Sequence, residues 1–286
     1  MRKHTLKDTS TKLTSTPSID KLRWIMKSLR DPESGCPWDL KQDFASITRH
    51  TIEEAYEVVD AIEQKDYSAL EKELGDLLFQ VIFYSQLGEE RAYFSFDSVI
   101  AAICEKLIRR HPHVFSDLDF TSDEQIKANW ENEKIKERQQ KHLSESEQST
   151  QVSILADIPK SLPALAQAAK IQKRCAHVGF DWHNINDVFA KVKEEVAEVE
   201  AELTNADNEK ALAEELGDLM FAVVNVCRHA KQDPETLLRH ANQKFTKRFQ
   251  QVEQQVTDSG KSFTEHNLDE LEVYWQAVKR QEKAKS

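Results

Sequence analysis

Eight carboxylates stand in two matched sets. In the stretch HTIEEAYEVVDAIEQKDYSALEKELGDLLFQVIFY, His50 to Tyr84, Glu54 and Glu57 lie three apart in one amphipathic segment, and Glu73 and Asp76 lie three apart in the next. The stretch KVKEEVAEVEAELTNADNEKALAEELGDLMFAVVNV, Lys191 to Val226, repeats the arrangement with Glu195, Glu198, Glu215 and Asp218. Residues three or four apart share one face of a helix. Glu73, Asp76 and Gln80 therefore form a narrow polar stripe on a segment otherwise apolar all round, and Glu215, Asp218 and Asn225 do the same in the second copy. A helix apolar on every side is expected to be buried, and carboxylates inside a bundle need partners. Antiparallel packing of the two helices in each set would bring four carboxylates together. Four anions a few ångströms apart repel by several kcal/mol at an effective dielectric of about 20. Protonation, a lysine or a metal ion must relieve that repulsion. An all-oxygen donor set suits Mg2+, with Mn2+ as an alternative. Di-iron bundles typically add Glu-x-x-His pairs and zinc asks for His or Cys; neither pattern stands at these positions. For any one acidic run taken alone, the simpler reading is a solvated helix face.

The elements that position these groups are helices. The 286 residues contain only six glycines and seven prolines, and period-two alternation bounded by turn signals is absent, so the fold class is all-α. The carboxylate sets recur at a nearly constant offset, and so do KxxxR pairs (Lys106 and Arg110; Lys244 and Arg248) and WxxxK pairs (Trp130 and Lys134; Trp275 and Lys279). A repeat of domain size predicts two homologous helical-bundle domains rather than a solenoid. The expected boundaries are a disordered tail over 1–16, a first domain over 17–138, a polar linker over 139–156 and a second domain over 157–286. Helices are predicted near Ile19–Leu29, Thr48–Gln64, Ser68–Gly88, Phe96–Arg110 and Asp123–Lys136, with the pattern repeating from about Leu162. A net charge of −11 argues against a nucleic-acid partner. No apolar run approaches the roughly 20 residues of a membrane span. Four scattered cysteines, Cys36, Cys104, Cys175 and Cys227, fit free thiols in a reducing cytoplasm.

The ordered combination EExxE then ExxD, present twice within ELGDLLFQ and ELGDLMFA contexts, resembles the MazG nucleoside triphosphate pyrophosphohydrolases. The likeness runs from about Pro17 to Glu282 and includes GCPWD (Gly35–Asp39), RRHPHVF (Arg109–Phe115), DIPKSLPAL (Asp157–Leu165) and KIQKRCAHVGFDW (Lys170–Trp182). It is similar to the two-domain bacterial form. The resemblance implies an all-α NTP pyrophosphatase, commonly dimeric, that hydrolyses nucleoside triphosphates to monophosphate and pyrophosphate with Mg2+. It implies that the four carboxylates of each domain ligate the metal, and that the leading glutamate of each EE pair, Glu53 or Glu194, is the base for the attacking water. Neighbours on a helix point about 100° apart, so the spare carboxylate can orient a water beside the ion. Lys106, Arg110, Lys244 and Arg248 suit phosphates, against the alternative of a solvated basic face. Trp130, Lys134, Trp275 and Lys279 offer a stacking plane and a further cation, against the alternative of core tryptophans. Lys191, one turn before Glu194, could reach a phosphate; His50 stands at the aligned place. The second domain is favoured as the catalytic one, because Pro112 cuts the first KxxxR helix short. Broad base use in nucleotide-pool control or house-cleaning is the expectation. A narrower dUTP or modified-nucleotide pyrophosphatase and a non-catalytic, metal-bound helical adaptor are the alternatives.

Overall fold

A computed structural model describes residues 16–145, 153–203 and 208–285. Among these residues there is no strand, and the chain divides into two compact units, Met1–Gln139 and Gln140–Ser286. The expected tail, apart from Thr16, lies outside the described residues. So does the middle of the expected linker. The linker's first residues are helical instead, because the helix expected over Asp123–Lys136 continues to Glu145. Its run of Gln, Lys and Glu carries high helix propensity even without an apolar stripe.

Unit 1 is built from α1 (Ile19–Leu29), α2 (Pro37–Leu40), α3 (Thr48–Gln64), α4 (Tyr67–Glu90), α5 (Phe96–Arg110), α6 (Pro112–Phe115) and the greater part of α7 (Asp123–Glu145). Ser18 caps α1 by accepting from the Lys21 amide at 3.2 Å. Gly35 is required in the turn that follows, since a Cβ there would stand 2.5 Å from the carbonyl oxygens of Leu29 and Asp31. The turn between α3 and α4 decides the site. Lys65 adopts the left-handed conformation, with φ 59°, and ends α3. Asp66 caps α4 at once, accepting from the amides of Ser68 and Ala69 at 3.1 and 3.0 Å. A connection this short forces the helices antiparallel. Glu54, eleven positions before Lys65, is then level with Asp76, ten after Asp66; Glu57 is level with Glu73. The core lies at the far end of this pair. Met26, Ile47, Ile82, Phe83, Leu87 and Phe96 are buried together, each contributing about 1.5–3 kcal/mol by leaving water.

Unit 2 contains α8 (Ala164–His177), α9 (Ile185–Leu203), α10 (Glu209–His229), α11 (Pro234–Asp258) and α12 (Leu268–Lys285), with a short 3-10 turn over Phe263–Glu265. Helices α9 and α10 pack as α3 and α4 do, and α8 lies against α10. Asp233 caps α11 through the Thr236 amide at 2.8 Å. A second apolar cluster, Val252, Val256 and Val278, joins α11 to α12.

One expectation is corrected. Helix α4 is not buried on all sides: Leu74 and Leu78 are 50% and 41% exposed, and Leu216 and Met220 on α10 are 44% and 60% exposed. Among the described residues, α4 is covered by α3, α1 and α5 and α10 by α9 and α8, which leaves these side chains open. Hydropathy records that these residues are apolar, and says nothing of where their cover would come from.

Candidate metal and nucleotide site

In unit 1, carboxylate oxygens of Glu54, Glu73 and Asp76 all lie within 4.8 Å of one another. In unit 2, those of Glu195, Glu198 and Glu215 do the same. The fourth member of each set is close by. Glu57 is close enough to Glu54 to push its carboxyl up, and Asp218 lines a cavity together with Glu195. Burial is graded rather than complete. Glu195 is buried, Glu54, Glu73 and Glu215 are half-buried, and Glu57, Asp76, Glu198 and Asp218 are exposed. The clusters therefore sit on the open side of each helix pair, where water limits the cost of unbalanced charge and leaves the oxygens accessible.

The electrostatics carry the mark of crowded anions. Burial first, and then the charges of Asp76 and Glu57, push the Glu54 carboxyl above the ordinary range. Burial first, and then Glu195, raise Glu198, with Lys191 opposing the rise. Lys191 reaches Glu194 and Glu195 at 2.7 Å each, and those two contacts raise its own pKa. The lysine expected at a phosphate is thus tied to Glu194, the expected base, and to Glu195, an expected ligand. In unit 1, His50 Nδ1 meets Glu53 at 3.4 Å, a weaker version of the same contact. An all-carboxylate set with an accessible side fits Mg2+ or Mn2+, since a divalent ion removes the repulsion that the geometry creates.

A cavity of about 350 Å3 opens beside the unit 2 cluster. Glu195, Asp218 and Lys191 border it, apolar side chains of α8, α9 and α10 wall it, and Gln172 and Asn225 lie among its lining. The turn after α8 is tied down by Asp181, which accepts from Arg228 Nη1 and bonds His229 Nε2, both at 2.9 Å. The Arg228 guanidinium foremost, with His229, holds the Asp181 carboxyl down at about 2.

The remaining expected residues stand elsewhere. Lys244, Arg248, Trp275 and Lys279 do not line this cavity. Arg248 is held by Glu282 at 2.7 Å, and Trp275 packs on the valine cluster and on Phe245. The core reading of Trp275 describes its contacts within one chain. In unit 1, Arg110 is paired with Glu137, Lys134 contacts Glu131 at 2.8 Å, Trp130 meets the His111 ring edge-on, and Lys106 is exposed. Arginines on a helical hairpin find the nearest glutamates of the opposite helix, which the KxxxR spacing does not reveal. Sequence reasoning missed Gln172 and the Asp181, Arg228 and His229 group. The available signal was a polar Gln172 between Ile171 and Cys175 on the face that α8 turns toward α10.

Two segments, 42–115 and 184–257, match the family model of the MazG nucleotide pyrophosphohydrolase domain, and each contains one carboxylate set. Over 265 residues the chain is 51% identical to a nucleoside triphosphate pyrophosphohydrolase of Escherichia coli, covering 92% of this chain and 98% of that one. Over 261 residues it is 39% identical to the nucleoside triphosphate pyrophosphohydrolase/pyrophosphatase MazG of Thermotoga maritima, covering 91% and 95%. Among the described residues no helix is long and apolar enough to cross a membrane.

Proposed function

The chain belongs to the family of MazG nucleotide pyrophosphohydrolases and is a nucleoside triphosphate pyrophosphohydrolase; from that premise we propose that water attacks the α-phosphorus at the unit 2 carboxylate site, giving monophosphate and pyrophosphate. Glu195, Glu198, Glu215 and Asp218 would hold Mg2+ or Mn2+. A divalent ion bound there supplies Lewis-acid neutralisation of phosphate charge. The protein's own part is positional and basic. Glu194 is exposed and next to a ligand residue, so its carboxylate takes the proton of a water held at the cluster edge. Lys191 fixes Glu194 and lies at the cavity mouth, where its ammonium can turn to an incoming phosphate oxygen. Glu53, Glu54, Glu57, Glu73 and Asp76 form the related site of unit 1.

The observation that supports this reading is the convergence of three carboxylates within 4.8 Å in each matched segment, with Glu54 and Glu73 of one answering to Glu195 and Glu215 of the other. The exposed apolar faces of α3 and α4, and of α9 and α10, support a homodimer in which a second copy covers them. Lys244, Arg248, Trp275 and Lys279 enter as substrate contacts only if such assembly, or a shift of the α11 and α12 hairpin, carries them to the triphosphate. Broad base use in the cytoplasm, in control or cleaning of the nucleotide pool, completes the reading. A panel of nucleoside triphosphates with Mg2+, resolving pyrophosphate from orthophosphate, tests it. Pyrophosphate and monophosphate as first products uphold the proposal; diphosphate and orthophosphate refute it.

A further inference from the structure

We propose that Gln172 and Asn225 read the hydrogen-bonding edge of the substrate's base inside the unit 2 cavity, and that Met26 and Phe83 deny that seat to unit 1. The inference rests on the pyrophosphohydrolase reading above. Gln172 is 6% exposed, and its Nε2 donates to the Phe221 carbonyl at 2.8 Å. A helix carbonyl only accepts, so the amide orientation is fixed, with Oε1 as the free end. That oxygen is buried and has no partner among the described residues. Asn225 is also 6% exposed, and its Oδ1 accepts from Arg228 Nε at 2.9 Å and Nη2 at 2.7 Å. Arginine only donates, so the Asn225 amide is fixed as well, with Nδ2 turned away from Arg228. Asp181 holds Arg228 in turn. Both residues line the cavity between apolar walls that include Val188 and Phe221, and the amide ends left over are an acceptor on Gln172 and a donor on Asn225. A nucleobase edge carries the complement, an N–H beside a ring nitrogen or carbonyl. Glu195 and Asp218 border the same cavity, so a nucleotide whose base lies on Gln172 extends its phosphates toward the cluster.

Unit 1 differs at this point. Phe83 stands at the place of Asn225, at the offset that relates Asp76 to Asp218, and Met26 of α1 packs with it. Both are at most 1% exposed within one apolar core. The carboxylates survive in unit 1, whereas the place of Asn225 has become packing; the buried amide there is Gln80, at the place of Ala222.

Four substrates and two variants of the full chain test the proposal. ATP is compared with purine riboside triphosphate, which lacks the exocyclic amine, and UTP with 3-methyluridine triphosphate, which lacks the N3 hydrogen. Losing a donor to a buried neutral acceptor should cost about three- to tenfold in kcat/KM in at least one pair. In Gln172→Leu that difference should fall to about twofold or less. In Gln172→Met with Asn225→Phe, equilibrium dialysis should find monophosphate binding no tighter than that of ribose 5-phosphate. Circular dichroism confirms that each variant is folded. Wild-type protein that cleaves ribose 5-triphosphate as well as every nucleotide, or a Gln172→Leu enzyme that keeps full discrimination, overturns the base seat and leaves the reaction standing. Wild-type protein that releases pyrophosphate from no nucleotide overturns the reaction itself.

Discussion

Replacing Lys191 with Met leaves the unit 2 anions without their cation and tests what the cluster is for. The Nζ lies 2.7 Å from both Glu194 and Glu195. Charge centres about 4 Å apart attract by about 4 kcal/mol at an effective dielectric of 20. The Glu194 side chain is 57% exposed, so water reduces that contact to a few tenths of a kcal/mol. The Glu195 side chain is 6% exposed but Lys191 is 35% exposed, so about half of the second attraction remains, or about 2 kcal/mol. For a unit of this size that is a fall of about 5–8 °C in Tm. Because the contacts raise the Lys191 pKa, their stabilisation is fully present below the ordinary lysine value of about 10.4 and is lost only as pH rises through the folded value. Thermal melts near neutral pH therefore see all of it. In EDTA the variant should melt well below wild type; in millimolar Mg2+ the gap should narrow, since the ion neutralises the same oxygens. A variant within about 1 °C of wild type in EDTA would refute the pairing of Lys191 with a buried Glu195. A gap equal in EDTA and Mg2+ would refute metal binding at these carboxylates.

Asp181→Asn should flatten the acid limb of stability: the carboxylate held at about 2 contributes above its ordinary value of 3.8 and loses that contribution as pH falls toward 2. Urea melts should show a deficit of about 2 kcal/mol at neutral pH that vanishes near pH 2. Glu198→Gln and Asp218→Asn should each lower turnover by orders of magnitude while apo stability holds or rises, because each removes a repelling anion. The equivalent changes in unit 1, Glu57→Gln and Asp76→Asn, should cost much less, and equal losses in the two sets would mean two working sites. Light scattering at micromolar concentration should return a dimer, and Leu78→Glu should shift it toward monomer; a wild-type monomer would leave the apolar faces without the cover proposed for them.

The helices that carry the site are legible because α3, α4, α9 and α10 owe their form to local spacing, and the Lys65 and Asp66 turn needs only four residues of context. The convergence of Glu54 with Asp76 follows from those helices and that turn. Burial was less legible. Leu78 and Met220 read as core, but cover for them is absent from their own unit, and no local pattern encodes that. Partner choice was least legible. Arg110 and Arg248 look free for phosphate in sequence, yet each faces a glutamate on the neighbouring helix, Glu137 or Glu282. Gln172 becomes meaningful only once α8 is laid across α10 and its amide is seen to be fixed by the Phe221 carbonyl.

The central claim is attack of water on the α-phosphorus at the carboxylate site. Hydrolysis of ATP in 18O-labelled water with Mg2+, followed by mass analysis of both products, tests it most directly. One 18O atom is expected in the monophosphate, none in the pyrophosphate, and no reaction in EDTA. Label in the pyrophosphate would place the attack at the β-phosphorus, and label in released orthophosphate would place it at the γ-phosphorus; either contradicts the account.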